Sequence, residues 1–251
     1  MDAGGRRVIV DVQDIKVVYN AHKKDTSTHV YALRGLTVQV YENEFFAIMG
    51  PSGSGKSTLF NAIGALQTPT AGKVLIDGVN LAELSPQQLA AVRCFELGYI
   101  FQTYNLLPVM TALMNVALPT IFAGLSTKEG EERAMECLRI VGLADRAHHL
   151  PSELSGGQMQ RVAIARAFAN KPRIILADEP TGNLDSTTGQ QIIDYMKGLQ
   201  TEMGATIITV THDDKMLTAC DRMAWIRDGQ IERIANRADI EIQMGSIQRQ
   251  N

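Results

Sequence analysis

The chain has 251 residues, 24 of them Lys or Arg against 27 Asp or Glu, for a formal net charge of −3. A 45% hydrophobic and 20% charged composition is ordinary for a globular protein and supplies one substantial core, while the slight acidic excess argues against a nucleic-acid-binding surface. No apolar run approaches the roughly 20 residues of a membrane-spanning helix, and Val8-Ile-Val10 is too short for the apolar part of a signal peptide, so the expected compartment is the cytoplasm.

Val8 to Tyr19 and Leu36 to Tyr41 alternate apolar and polar residues as half-exposed strands do, and Asn20 to His29 between them reads as a loop. Glu44 to Met49 is an apolar run of strand length, followed by Gly50-Pro51-Ser52-Gly53-Ser54-Gly55-Lys56-Ser57 and then by a helical pattern from Leu59 to Leu66. This is the strand–loop–helix setting of a phosphate-binding loop. Gly50 and Gly55 allow a tight path that turns backbone N–H groups onto phosphate oxygens at the positive end of the helix. Lys56 is placed to neutralise the β- and γ-phosphates and the Ser57 hydroxyl to hold Mg²⁺.

From Ser85 to about Arg161 the periodicity turns helical. Pro86 begins one helix, Thr111 to Leu118 forms another and Thr127 to Val141 a third. Within this stretch the strand Leu97 to Phe101 ends at Gln102, whose amide can reach both a metal and an attacking water. Thr103 to Met114 follows and is rich in Leu and Met, a composition suited to receiving a partner helix or, alternatively, to filling the lobe's own core. His148-His149 are expected to make loop contacts, because adjacent histidines rarely converge on one ion.

Leu154-Ser155-Gly156-Gly157-Gln158 is a second Gly-rich phosphate reader, about a hundred residues after the first and leading a helix from Gln158 to Ala169. One nucleotide site does not need two such readers. The economical explanation is that the second serves the nucleotide of another subunit.

Arg173 to Asp178-Glu179 reads as a buried strand ending in two acids, at the end of a parallel strand where an α/β sheet presents ligand groups. Asp178 is expected to hold Mg²⁺ through water and Glu179 to polarise the attacking water; the alternative is that the pair caps a helix after Pro180. A strand from Ala205 to Val210 leads to His212, which can donate to a γ-phosphate. Asp228-Gly229 between Met223–Arg227 and Gln230–Ile234 is a hairpin signal, with Trp225, the only tryptophan, expected in the core. Ile240, Ile242 and Met244 alternate weakly in the tail. Cys94, Cys137 and Cys220 are odd in number and lack C-x-x-C spacing, so they read as reduced core residues.

A P-loop kinase has no use for Leu154 to Gln158, and the Asn-Lys-x-Asp of a GTPase is absent from the sequence. From about Val8 to Ile234 the chain resembles the nucleotide-binding subunits of ATP-binding-cassette (ABC) transporters. Gly50 to Thr58 match the Walker A loop, Gln102 the Q-loop, Leu154 to Gln158 the signature and Ile174 to Glu179 the Walker B strand. Asn183-Leu184-Asp185 match the D-loop, His212 the H-loop and Tyr19 the adenine-stacking aromatic. Ala32 to Leu36, Phe101 to Pro108 and Glu179 to Asp185 look most like the MacB, LolD and FtsE group.

The resemblance implies an α/β fold: a P-loop NTPase core with a mainly parallel sheet, an N-terminal antiparallel β subdomain and an inserted helical subdomain at about 86–161, all within one domain over 1–235, followed by a tail over 236–251. It implies ATP and Mg²⁺ as ligands, with Ser57, Gln102 and Asp178 at the metal. It implies a head-to-tail homodimer in which Ser155, Gly156, Gly157, Gln158 and Asp185 meet the partner's ATP. It further implies a membrane permease whose coupling helix docks near Gln102 to Met114, no nucleic acid, and a peripheral place on the cytoplasmic face of the inner membrane. The rival within the same resemblance is a soluble ABC ATPase acting on nucleic acid or ribosomes; such proteins carry a long coiled coil or two cassettes.

Overall fold

Two sheets sort the strands by their sequence pattern in the computed structural model, which describes residues 5–20 and 25–240. β1 (Val8–Tyr19) and β2 (Val30–Tyr41) pair antiparallel. β4 (Ala71–Ile76) and β5 (Val79–Asn80) complete a four-stranded sheet in the order β2-β1-β4-β5. Alternation does its expected work here: Val10, Val12, Ile15 and Val17 face the core with Leu33, Leu36, Val38 and Val40, while the residues between them face outward. β2 starts six residues earlier than the alternation from Leu36 indicates. β4 and β5 escape the sequence reading altogether, although Asp77 and Gly78 between them both have positive φ and form the same Asp-Gly hairpin signal as Asp228-Gly229.

The second sheet has the order β10-β9-β3-β8-β7-β6, built from β3 (Phe45–Met49), β6 (Leu97–Ile100), β7 (Ile174–Asp178), β8 (Thr206–Val210), β9 (Arg222–Arg227) and β10 (Gln230–Asn236). All its pairings are parallel except the β9–β10 hairpin. Every residue of β3 and β8 is buried, which is why these strands read as unbroken apolar runs: a parallel sheet is covered on both faces. Glu44 is not the first residue of β3. It accepts from Arg222 at 2.9 Å, and the guanidinium stacks over Tyr41 and Phe46. Burial pushes the Glu44 carboxyl up, opposed by the Tyr41 amide and by Arg222.

The helices are α1 (Lys56–Ile63), α2 (Pro86–Phe95), α3 (Ala112–Phe122), α4 (Thr127–Ile140), α5 (Gly156–Phe168) and α6 (Ser186–Met203). Capping boxes start three of them, at Ser85 with Gln88, Ser126 with Glu129 and Ser155 with Gln158, and Thr111 caps α3. Asp185 accepts from the amides of Thr187 and Thr188 to start α6. Asp178 and Glu179 therefore cap no helix after Pro180, and that alternative falls. The expected helical stretch of about 86–161 encloses β6, which pairs with β7 in the core sheet, while α3, α4 and α5 pack on one another through Val116, Leu138 and Val162. Cys137 and Cys220 are buried and free, but Cys94 is only half-buried, so the expectation of three core cysteines is corrected for Cys94. Trp225 packs partly against the core with Arg233 over its ring at 3.9 Å. Ile240 does the same; Ile242 and Met244 lie outside the described residues.

Candidate functional site

The phosphate loop joins the end of β3 to α1, and its shape is enforced from outside. A Cβ on Gly50 would stand 2.2 Å from the Ile226 carbonyl oxygen, and the Gly229 amide donates to the Ser54 carbonyl at 2.9 Å. The β9–β10 hairpin thus clasps the loop. Gly55, with φ +106, is the N-cap of α1, and no side chain caps it, so the first-turn amides lack the partners that a helix interior supplies. Lys56 folds over the loop, its Nζ donating to the carbonyls of Gly50 and Pro51 at 2.8 and 2.9 Å. The loop opens on a cavity of 660 Å³ whose wall includes Ser52, Gly53, Ser57, Thr58, Glu179 and His212.

β7 and β8 run side by side in the sheet and deliver Glu179 and His212 to this cavity, with Asp178 at the end of β7 beside them. His212 Nδ1 lies 2.9 Å from Glu179 Oε1. Burial raises the Asp178 carboxyl, with further upward pressure from Glu179 and relief from Lys56. Burial likewise pushes the Lys56 ammonium down, opposed by Glu179 and Asp178. Glu179 has φ +44, a region that an L-residue occupies only under constraint, and this turn lets two successive residues reach one site from a strand whose side chains alternate. Gln102 joins them: a Cβ on Gly182 would lie 3.0 Å from Gln102 Nε2 and 3.4 Å from Glu179 Oε2, and the Gln102 carbonyl accepts from Asn183.

A second cavity of 360 Å³ opens at the start of α5, lined by Ser155, Gly156, Gly157, Gln158, Asn183 and Asp185 among others. Ser155 Oγ accepts from the Gln158 amide at 3.3 Å and Gln158 Oε1 accepts from the Ser155 amide at 2.8 Å. The Gln158 side-chain oxygen thus serves the helix cap, a bond that leaves its NH2 group uncommitted, and the residue lines the cavity together with the N-terminal turn of a helix with two glycines at its first positions.

Tyr19 places its hydroxyl 3.0 Å from Gln67 Oε1 and 3.3 Å from Thr58 Oγ1, beside α1 rather than on the wall of the phosphate cavity. Tyr31, which the sequence reading passed over, does line that wall. Its neighbour Ala32 has its carbonyl oxygen 2.6 Å from where a Cβ on Gly55 or Gly229 would stand, a closeness that no sequence pattern announces. Asn115 was also missed. Wholly buried, it exchanges hydrogen bonds with both the amide and the carbonyl of Leu107 and donates to the carbonyls of Met110 and Thr111, holding the segment after Gln102 in shape.

That segment is divided between core and surface. Ala112 and Leu113 are core residues, whereas Leu107, Val109 and Met114 are exposed. Leu107 lines an apolar groove of 520 Å³ together with Phe101, Leu118 and Phe122. His149 contacts Arg146 at 3.1 Å, the loop role expected for it, and no helix among the described residues is long and apolar enough to cross a membrane.

The profile of the ABC transporter family matches residues 33–182. An uncharacterized ABC transporter ATP-binding protein of Thermotoga maritima is 50% identical, the match covering 91% of this chain and 96% of that protein. The macrolide export ATP-binding/permease protein MacB of Brucella melitensis is 43% identical over 96% of this chain, which spans only 36% of that protein's length. Among solved structures, the dimeric ATP-binding cassette MJ0796 in a post-hydrolysis state with ADP and phosphate superimposes with a TM-score of 0.82 at 44% identity, covering 91% of this chain and 98% of that one; a protein called MJ0796 comes from Methanocaldococcus jannaschii. With the motif geometry in place, the chain belongs to the ABC transporter family, as one of its ATP-binding, ATP-hydrolysing cassettes.

Proposed function

We propose that two copies of this chain pair head to tail around two ATP, each α5 start closing over the nucleotide held by the other's phosphate loop. The observation that carries this reading is the second cavity. It presents helix-start amides and the Ser155 hydroxyl, groups suited to a γ-phosphate, yet Lys56, Glu179 and His212 line a different cavity. A dimer in solved structures of the similar cassette MJ0796 supports it.

Within each site Gly50 to Thr58 cradle the phosphates and Lys56 neutralises them. Glu179 polarises the attacking water, while His212 holds Glu179 and donates to the γ-phosphate. Tyr19 stands beside the loop to meet the adenine. Ser57, Asp178 and Gln102 form an all-oxygen set that fits Mg²⁺, an ion that takes only one or two carboxylates and fills its shell with phosphate oxygens and water. When bound, the ion neutralises charge on the phosphates. The raised carboxyl of Asp178, a desolvated acid crowded by Glu179, is the side chain that gains most from such a cation. Asp185, at the head of α6, borders the seam between the two copies.

The cassette drives a separate permease of the MacB, LolD-partner or FtsX kind, whose cytoplasmic helix docks in the apolar groove lined by Leu107, Leu118 and Phe122. The chain then sits peripherally on the cytoplasmic face of the inner membrane. MacB-type relatives that join an ATP-binding part to a permease in one chain favour this over a soluble cassette acting on nucleic acid.

Sedimentation tests the pairing. Glu179→Gln protein keeps the carboxylate's shape but not its basicity, so it binds ATP without turnover and accumulates as a dimer in ATP and Mg²⁺. Adding Ser155→Arg returns a monomer. A double variant that remains dimeric with ATP overturns the head-to-tail model.

A further inference from the structure

Gln160 lies on α5, five residues after the Ser155 cap, and is wholly buried. Its Nε2 donates to the Pro180 carbonyl at 2.7 Å. Its Oε1 is buried with no hydrogen-bond partner. An orphaned buried acceptor disfavours the folded state, and a methionine of nearly the same shape would remove it. Packing alone therefore gives no reason for glutamine at this position, which directs attention to the one bond that it makes.

That bond reaches the residue immediately after Glu179, at the Pro180–Thr181 peptide. Pro180 has no N–H, so its carbonyl is its only backbone hydrogen-bonding group, and the Gln160 amide fixes the plane of the peptide that leaves it. The neighbouring groups are tied as well: the Glu179 amide donates to Val210, the Gly182 amide donates back to the Glu179 carbonyl, and Thr181 Oγ1 donates to Asp213. Glu179, at φ +44, is held in a backbone conformation that relaxes when such ties are cut. Of these four ties, only Gln160 comes from the helix whose N-terminal turn faces the second cavity.

We propose that Gln160 is a positioning residue: from the helix that carries the Gly-rich signature, it sets the direction of the Glu179 carboxylate in the phosphate-loop site of the same chain. A movement of α5 on meeting a neighbour's nucleotide is passed through one hydrogen bond to the group that polarises water. The inference rests on the reading of Glu179 as that group.

The experiment compares Gln160→Met and Gln160→Leu with wild type in the full chain, by steady-state ATPase kinetics, ATP binding and thermal unfolding. The expected result is an unfolding temperature at or above that of wild type, KM and Kd for ATP within about twofold, and kcat reduced roughly tenfold or more, because displacing a catalytic group by a fraction of an ångström removes alignment and not binding. A residue that merely fills the core would change the unfolding temperature and leave kcat alone. If either variant folds with wild-type kcat, or loses activity only through a raised KM, the inference is overturned. Glu179→Gln is measured beside them to separate the two ideas. Near-wild-type turnover in Glu179→Gln removes the base assignment itself; an inactive Glu179→Gln with fully active Gln160→Met removes only the role of Gln160.

Discussion

α1 and α5 both begin at glycine-rich turns, yet they are finished in opposite ways. α1 starts at Gly55 with no side chain over its end, and Lys56 and Asp178 stand close enough to act on each other's protonation, with the Glu179 charge acting on both. α5 carries its own lid: Ser155 and Gln158 satisfy each other's amides, and the cation on the wall of its cavity, Arg161, gives one donor to the Val141 carbonyl. A helix end that must take most of the charge of a triphosphate is left bare and surrounded by titratable groups. One that meets a phosphate already neutralised needs only a few well-placed donors. The difference is what the proposed head-to-tail pairing, with each site divided between two copies, would demand.

The largest expected effect separates the two ends directly. Lys56→Ala should weaken ATP binding roughly 100-fold, since charge-assisted bonds to phosphate are each worth about 1.5–3 kcal/mol. Ser155→Arg should leave ATP affinity of the isolated chain within about twofold while abolishing hydrolysis, because its damage falls on a neighbour's nucleotide. Calorimetric titration with ATP under non-hydrolysing conditions reads both. Equal losses of affinity in the two variants would mean that both ends serve one nucleotide.

Glycines sharpen the comparison next. Gly50→Ala drives a Cβ to within 2.2 Å of the Ile226 carbonyl, and rigid backbone on both sides cannot yield. A stability loss of about 3 kcal/mol or more is expected from chemical denaturation. Gly53→Ala meets nothing within 4 Å and should cost only the positive φ, about 1–2 kcal/mol. At the other end Gly157→Ala meets Thr188 Cγ2 at 2.5 Å, a methyl that can be removed. Thr188→Ser retains the hydroxyl that bonds Asp185, so the Gly157→Ala, Thr188→Ser double variant should be at least as stable as Thr188→Ser alone, alanine being favoured over glycine in a helix by about 1 kcal/mol. A double variant as unstable as Gly157→Ala would locate the constraint elsewhere.

Much of this contrast was legible in the sequence, and what was not has physical causes. The phosphate loop, both acids, Gln102 and His212 could be placed because each follows a run of buried strand residues, and parallel strands announce themselves as apolar blocks. β4 was lost because Ala71-Gly72-Lys73 is exposed at its start and only Val74 to Ile76 carry its pattern. The start of α6 was not found, only a helix somewhere after Pro180, because Asp185, read for its place near the seam, is also the cap that starts it. Gln160 and Asn115 act through long-range or irregular backbone contacts, which no periodicity encodes. Gln158 illustrates the converse, since a residue read for its place in the motif has a second task, its side-chain oxygen capping its own helix.

The smallest effect concerns protons, and again the two ends go opposite ways. Burial, then Glu179, hold the Asp178 carboxyl above its ordinary range. The folded state therefore binds that proton more tightly than the unfolded chain does, and the group's contribution to stability is full below about pH 4 and lost as the pH rises through the raised folded value. Asp185 lies the other way, held below its ordinary range by the Thr188 hydroxyl and then by the backbone amides at the head of α6; its contribution is present above about pH 4 and disappears as the pH falls through the lowered value. Thermal unfolding of nucleotide-free protein against pH should show this as two curves of opposite sign. Asp178→Asn should become more stable relative to wild type as the pH climbs from 4 toward 7, and addition of Mg²⁺ should recover stability in wild type but not in the variant. Asp185→Ala should be less stable than wild type at neutral pH, by a margin that shrinks in acid. Parallel curves for the two variants would mean that the acid beside the phosphate loop and the acid bordering the cavity at the start of α5 share one electrostatic setting, and the division of labour between the two sites would lose its basis.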